Sequence, residues 1–138
     1  MRNNRLIACT ALLVAALAAP SLHAQTAILD GRAFVADAGV KGKAADEKGD
    51  VITFADGKFH SAICDQYGYG KGEYKATKVG EAIEFEAVTL SEKDGRNVWK
   101  GTIRGDEIEG TMMNHPKGWF LNPNPSPVEH WFKGKSKT

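Results

Sequence analysis

Apolar and polar residues alternate at period two along most of this chain, and one stretch makes the pattern unambiguous. In Trp99-Lys-Gly-Thr-Ile-Arg-Gly-Asp-Glu-Ile-Glu-Gly-Thr-Met, a two-residue turn at Gly105-Asp106 sets Ile103 opposite Ile108, Gly101 opposite Gly110 and Trp99 opposite Met112. Those pairs share one face. Arg104–Glu107, Thr102–Glu109 and Lys100–Thr111 pair on the other. A slip of one residue would mix the two sets, so the stretch reads as an antiparallel hairpin with one buried side.

The same reading places strands at 27–35, 50–55, 58–64, 73–79, 82–90 and 128–133. In the first of these the inward face is ambiguous, because Leu29 and Phe34 have opposite parity. Residues 36–49, rich in Gly, Lys and Asp, read as a loop or a weak strand around Val40, with a short helical turn admissible at 44–48. Asp56-Gly57 is the strongest hairpin signal. It faces Phe54 to Phe59 and Ile52 to Ser61 inside, with Thr53 and His60 outside. A turn at Gly80-Glu81 pairs Ala76 with Phe85 and Tyr74 with Ala87 inside, and Lys75 with Glu86 outside. A three-residue loop, Lys93-Asp94-Gly95, then keeps the inward series by pairing Phe85 with Ile103, Ala87 with Gly101 and Thr89 with Trp99. Residues 116–127 contain Asn-Pro-Asn-Pro-Ser-Pro, too proline-dense for a central strand and expected to be extended.

Seven or eight consecutive antiparallel strands with one apolar side need closure, because open edges recruit other chains. The expected fold is therefore all-β, an antiparallel up-and-down β-barrel with its first and last strands adjacent; a two-sheet β-sandwich is the alternative. Glycines facing inward side by side, Gly101 and Gly110, permit the coiling a small barrel needs.

The N-terminus changes the picture of where this domain works. Arg2 and Arg5 precede an apolar run from Leu6 to Ala19 and a small-residue exit at Ala24, the layout of an export signal cleaved before Gln25. The run is shorter than the ~20 residues a helical membrane span needs. The expected organisation is a signal peptide at 1–24 and a single barrel domain at 25–138, placed in the periplasm or secreted. The signal holds two of the 18 basic residues and none of the 17 acidic ones, which leaves one acidic residue in excess. Such balance carries no electrostatic footprint for nucleic acid. Lys133, Lys135 and Lys137 read as a solubilising tail. Cys64 is the single cysteine outside the signal and is expected to be buried.

Candidate chemistry is sparse. His60 and Cys64 share a strand face in this reading but lie about 13 Å apart along it, too far to ligate one metal directly without His115 or His130. Nothing beside Cys64 marks an activated thiolate, and Asp65 opposes ionisation. The loop Tyr67-Gly-Tyr-Gly-Lys-Gly joins two strands and so cannot cradle a phosphate at a helix N-terminus. Its two tyrosines suit a mobile lip at a barrel mouth. Glu84/Glu86 and Glu107/Glu109 project outward as solvated pairs. No acid, base and nucleophile converge, no catalytic or metal residue is assigned, and no cofactor motif is present.

The run Phe-Ala-Asp-Gly-Lys-Phe-His-Ser-Ala-Ile-Cys-Asp-Gln-Tyr-Gly-Tyr-Gly, followed by Trp-Lys-Gly-Thr-Ile-Arg-Gly-Asp-Glu-Ile-Glu-Gly-Thr, resembles a set of uncharacterised small exported bacterial proteins over most of residues 50–113. The resemblance implies export and no particular activity. At fold level the pattern is similar to lipocalin-like and avidin-like barrels, without their ligand motifs. The leading expectation is a binder of a small apolar or aromatic ligand, with Tyr67, Tyr69, Tyr74, Trp99 and Trp119 as candidate binding residues and an interior lined by Phe54, Phe59, Phe85, Trp99 and Met112. An eight-stranded barrel has room for one such ligand. The alternative is a protein-interaction module, an inhibitor or accessory subunit, that uses the Trp119 loop and the proline segment. An enzyme is the weakest reading.

Overall fold

In a computed structural model, residues 27–138 form a closed eight-stranded antiparallel barrel in which every strand pairs with its neighbours in sequence and the last pairs with the first. The expected signal peptide lies outside these described residues. The strands are β1 (Ala33–Val40), β2 (Glu47–Ala55), β3 (Lys58–Ser61), β4 (Gly72–Val79), β5 (Ala82–Ser91), β6 (Gly95–Arg104), β7 (Glu107–Pro116) and β8 (Val128–Ser136). Tight turns at 56–57, 80–81 and 105–106 mark one end of the barrel, the base. The longer connections at 41–46, 62–71 and 117–127 mark the other, the mouth.

Three hairpins have the register their two-residue turns dictate. Phe54 pairs with Phe59, Ala76 with Phe85, and Ile103 with Ile108, each on the inner face. At the β5–β6 turn the register differs from expectation by two residues. The three-residue loop is 92–94 rather than 93–95, so Phe85 pairs with Gly101, Ala87 with Trp99 and Thr89 with Asn97. Ser91 accounts for the shift: its hydroxyl accepts the Asp94 N–H at 3.0 Å and closes the turn, while Gly95, at φ +115°, pairs back with Ser91. A shift of two preserves parity, so each inward side chain stays inward.

The N-terminal strand is displaced from expectation. Residues 27–32 turn beneath the base, where Leu29 is fully buried, and Gly31 (φ +88°) separates that turn from β1. This removes the parity conflict, since Leu29 and Phe34 are not on one strand. Residues 36–40, expected as loop or weak strand, complete β1, and no helical turn forms at 44–48, where β2 begins. Pairing along β8 from Phe34↔Ser136 to Val40↔His130 orders this glycine- and alanine-rich segment and closes the cylinder. β8 itself reaches Ser136, so Lys133 and Lys135 are strand residues on the outer face rather than a tail.

β3 is also shorter than expected. It stops at Ser61 because the buried Asp50 carboxylate accepts hydrogen bonds from the Ser61 hydroxyl (2.6 Å) and the Ile63 N–H (3.0 Å), drawing the chain over the mouth. A short 3₁₀ helix, Ile63–Tyr67, follows and ends at Gly68 in the left-handed conformation (φ 77°).

The core is aromatic. Phe54 meets Phe34, Phe59, Tyr74 and Phe85 edge-on at centroid distances of 5.0–6.3 Å, and Trp99 contacts Phe59 (4.8 Å) and Phe132 (5.6 Å). Edge-to-face rings at this spacing are favoured beyond their area burial. Rings therefore fill the base and middle of the barrel. The outer face carries cross-strand pairs such as Lys100–Glu86 (3.5 Å) and Lys133–Glu109 (4.0 Å). Among the described residues no helix is long and apolar enough to cross a membrane.

Candidate functional site

Toward the mouth, the inward series change character in strand after strand. In β2 the order is Phe54, Ile52, Asp50, and in β5 it is Phe85, Ala87, Thr89, Ser91. From Ile103 in β6 the series passes Gly101 and Trp99 to Asn97; from Ile108 in β7 it passes Gly110 and Met112 to Asn114; in β8, Phe132 gives way to His130. Asp50, Ser61, Thr89, Ser91 and Asn97 are all buried. Packing stops where these short polar side chains begin. A cavity of about 500 Å³ opens above Trp99 and Met112, walled by Ala38, Asp50, Ser61, Cys64, Tyr69, Asn97, Asn114 and His130 and rimmed by Asp46, Glu47, Tyr67 and Asp94.

Hydrogen bonds hold the wall rigid. Asn114 Nδ2 donates to Asn97 Oδ1 (2.7 Å) and to the Tyr69 hydroxyl (3.0 Å), and Trp99 Nε1 donates to Thr89 Oγ1 (3.1 Å). Burial raises the Tyr69 phenol above its ordinary pKa, so it stays a neutral donor and acceptor. The Tyr67 hydroxyl donates to Glu47 at 3.2 Å, and that bond raises the pKa of the exposed phenol. One buried side-chain atom among the described residues is unsatisfied: His130 lines the cup, and its Nδ1, out of reach of solvent, has no hydrogen-bond partner. Buried polar atoms are nearly always bonded, so this one is an exception in the packing behind the wall.

Cys64 is buried, as expected for a lone thiol. Desolvation, helped by the negative charges of Asp50, Asp65 and Glu47, pushes it up to about 11. A thiol held protonated at neutral pH is no nucleophile. His60 does not share a face with it, because the strand ends between them. Instead His60 faces outward and its Nε2 lies 2.7 Å from Asp65 Oδ1. Among the described residues no three His, Cys, Asp or Glu side chains converge to hold a metal ion.

Of the five candidate binding residues, Tyr67, Tyr69 and Trp99 line this cavity. Tyr69 belongs to its buried wall, not to a mobile lip, and Tyr67 alone stands exposed at the rim. Tyr74 is at the opposite end: its hydroxyl donates to Asp30 (2.7 Å), and burial together with that carboxylate holds its pKa well above the ordinary phenol range. Trp119 lies outside the barrel in the 117–127 connection, 60% exposed. Phe54, Phe59 and Phe85 pack one another and leave no space between them, so of the expected interior lining only Trp99 and Met112 reach the cavity.

Sequence reasoning missed Asp50, Ser61, Asn97, Asn114 and His130. The signal was present as polar residues at inward parity, each on the mouth side of an apolar one. A larger depression of about 780 Å³ lies on the outer face of β4–β8, between Lys75 and Trp131. Its ionisable walls are the solvated lysine–glutamate pairs of that face, so it offers no desolvated group to a ligand. Compared with known proteins, the chain matches no family model, no curated protein and no solved structure.

Proposed function

We propose that this protein is an exported carrier that holds one small molecule in the mouth cavity. The observation behind it is the abrupt change inside the barrel, from interlocked rings to a hollow polar cup of about 500 Å³. That volume falls within the range of about 300–1,000 Å³ typical of small-molecule sites. An apolar or aromatic portion of the ligand rests on Trp99, Met112, Ile63 and Ala38, and polar groups around it fix its orientation. Wall residues tied by hydrogen bonds are pre-organised, which lowers the ordering cost of binding. Native mass spectrometry of the purified protein tests this directly, and Trp99 fluorescence follows titration with aromatic compounds. Ala38→Trp, which projects an indole into the cup, should suppress both signals; a mass adduct undiminished by this substitution would move the ligand elsewhere.

A second reading rests on a different observation. In the 117–127 connection, Trp119 and Asn122 exchange two backbone hydrogen bonds of 2.9 Å, presenting Phe120 (96% exposed) and Leu121 (74%) at the tip of a tight turn. Consecutive exposed apolar side chains on a rigid turn suit a protein partner. In this reading Phe120→Asp disrupts complex formation in the cell while Ala38→Trp does not.

A further inference from the structure

The charges around the mouth cavity specify its ligand more narrowly, on the premise that the carrier reading is right. Four carboxylates line the cup, Asp46, Glu47, Asp50 and Asp94, and no lysine or arginine does. Asp50 is the decisive one. It is 5% exposed, and both its hydrogen-bond donors, the Ser61 hydroxyl and the Ile63 N–H, are neutral. Among the described residues no cationic side chain lies within 4.0 Å of it.

Buried charges in folded proteins are ordinarily paired, since neutral donors offset only part of the desolvation cost. Of the lysines on the mouth connections, Lys41 pairs with Glu129 (2.9 Å) and Lys117 Nζ bonds the Glu92 carbonyl (2.6 Å), while Lys43, Lys71 and Lys93 are not among the residues that line the cup. A buried carboxylate without a counter-ion, in a cup whose rim is also acidic, calls for a ligand that brings positive charge and N–H donors. A bare metal ion fits poorly, since three ligating side chains do not converge and the cup has an apolar floor at Trp99 and Met112.

We propose that the mouth cavity takes a small organic ammonium ion, an amine with an apolar body. Its body lies on Trp99 and Met112, and its N–H groups donate to Asp50. The rim carboxylates Asp46, Glu47 and Asp94 favour the entering cation and repel anions of the same shape.

The test is calorimetric titration at pH 7.5 with three probes that differ chiefly in their polar end: 2-phenylethylamine, 2-phenylethanol and 3-phenylpropanoate. The amine should bind at least tenfold tighter than the alcohol, and the carboxylate weakest. Asp50→Asn should reduce that preference at least threefold with little change for the alcohol. Asp94→Asn, at a side chain that makes no hydrogen bond among the described residues, should reduce it by a smaller factor and keeps the test open if Asp50→Asn fails to fold. An alcohol that binds as tightly as the amine, or a preference that survives both substitutions, overturns the ammonium assignment while leaving the carrier reading standing. Absence of binding by all three probes, together with no adduct in native mass spectrometry, overturns both.

Discussion

The ring of Phe85 lies directly over Gly101, its cross-strand partner: a Cβ at Gly101 would sit 2.5 Å from Phe85 Cε1. The ring cannot step aside, because Phe54 (5.0 Å), Phe59 (5.9 Å) and Phe132 (6.3 Å) surround it. Gly101→Ala should therefore destabilise the barrel by about 1–3 kcal/mol, the usual cost of overpacking. Urea unfolding measures it. Gly80→Ala is the informative comparison, since no atom lies within 4 Å of a Cβ there and any loss reflects its φ of +61° alone.

The two inward tyrosines that belong to opposite ends separate stability from binding. Tyr74→Phe removes a hydroxyl that donates to Asp30, whose carboxylate also accepts the Gly57 N–H of the β2–β3 turn. The expected loss is about 1–2 kcal/mol, with affinity for a mouth ligand unchanged. Tyr69→Phe removes the acceptor of Asn114 at the cavity wall and should weaken ligand binding. Equal effects of both variants on binding would show the site to lie deeper than the mouth.

Burial of Cys64 gives a pH signature. The thiol ionises near 9.0 when unfolded and at about 11 in the barrel, so the folded state holds its proton more tightly. Its contribution to stability is complete below pH 9 and is lost as pH rises to 11, amounting to about 2–3 kcal/mol at most. Accordingly, the stability difference between the wild-type protein and Cys64→Ala should narrow over that window. Iodoacetamide should label Cys64 slowly at pH 8 in the native protein and rapidly in urea. Rapid labelling of the native protein would place the thiol at the surface.

Hairpin registers were legible in the sequence wherever two residues close the turn. Asp56-Gly57, Gly80-Glu81 and Gly105-Asp106 leave one way to keep apolar side chains on one face, so Phe54/Phe59, Ala76/Phe85 and Ile103/Ile108 follow from local chemistry. The β5–β6 turn escaped because alternation is blind to a shift of two, and the deciding contact is one Ser91 hydroxyl on the Asp94 N–H. Burial of Tyr69, which stands in a loop without a period, was equally hidden.

What the sequence determined by itself is the sidedness of each strand and the pairing of strands joined by tight turns, because both depend on neighbours a few residues apart. Tertiary structure alone decided where β1 begins, why β3 stops at Ser61, and that polar residues of β2, β5, β6, β7 and β8 meet at one end. Asp50, Asn97, Asn114 and His130 are isolated exceptions to alternation when read strand by strand. Pairing of Val40 with His130, and of β1 with β8 throughout, brings them into one wall. That closure joins residues about a hundred positions apart, and a cavity exists only once the last strand has met the first.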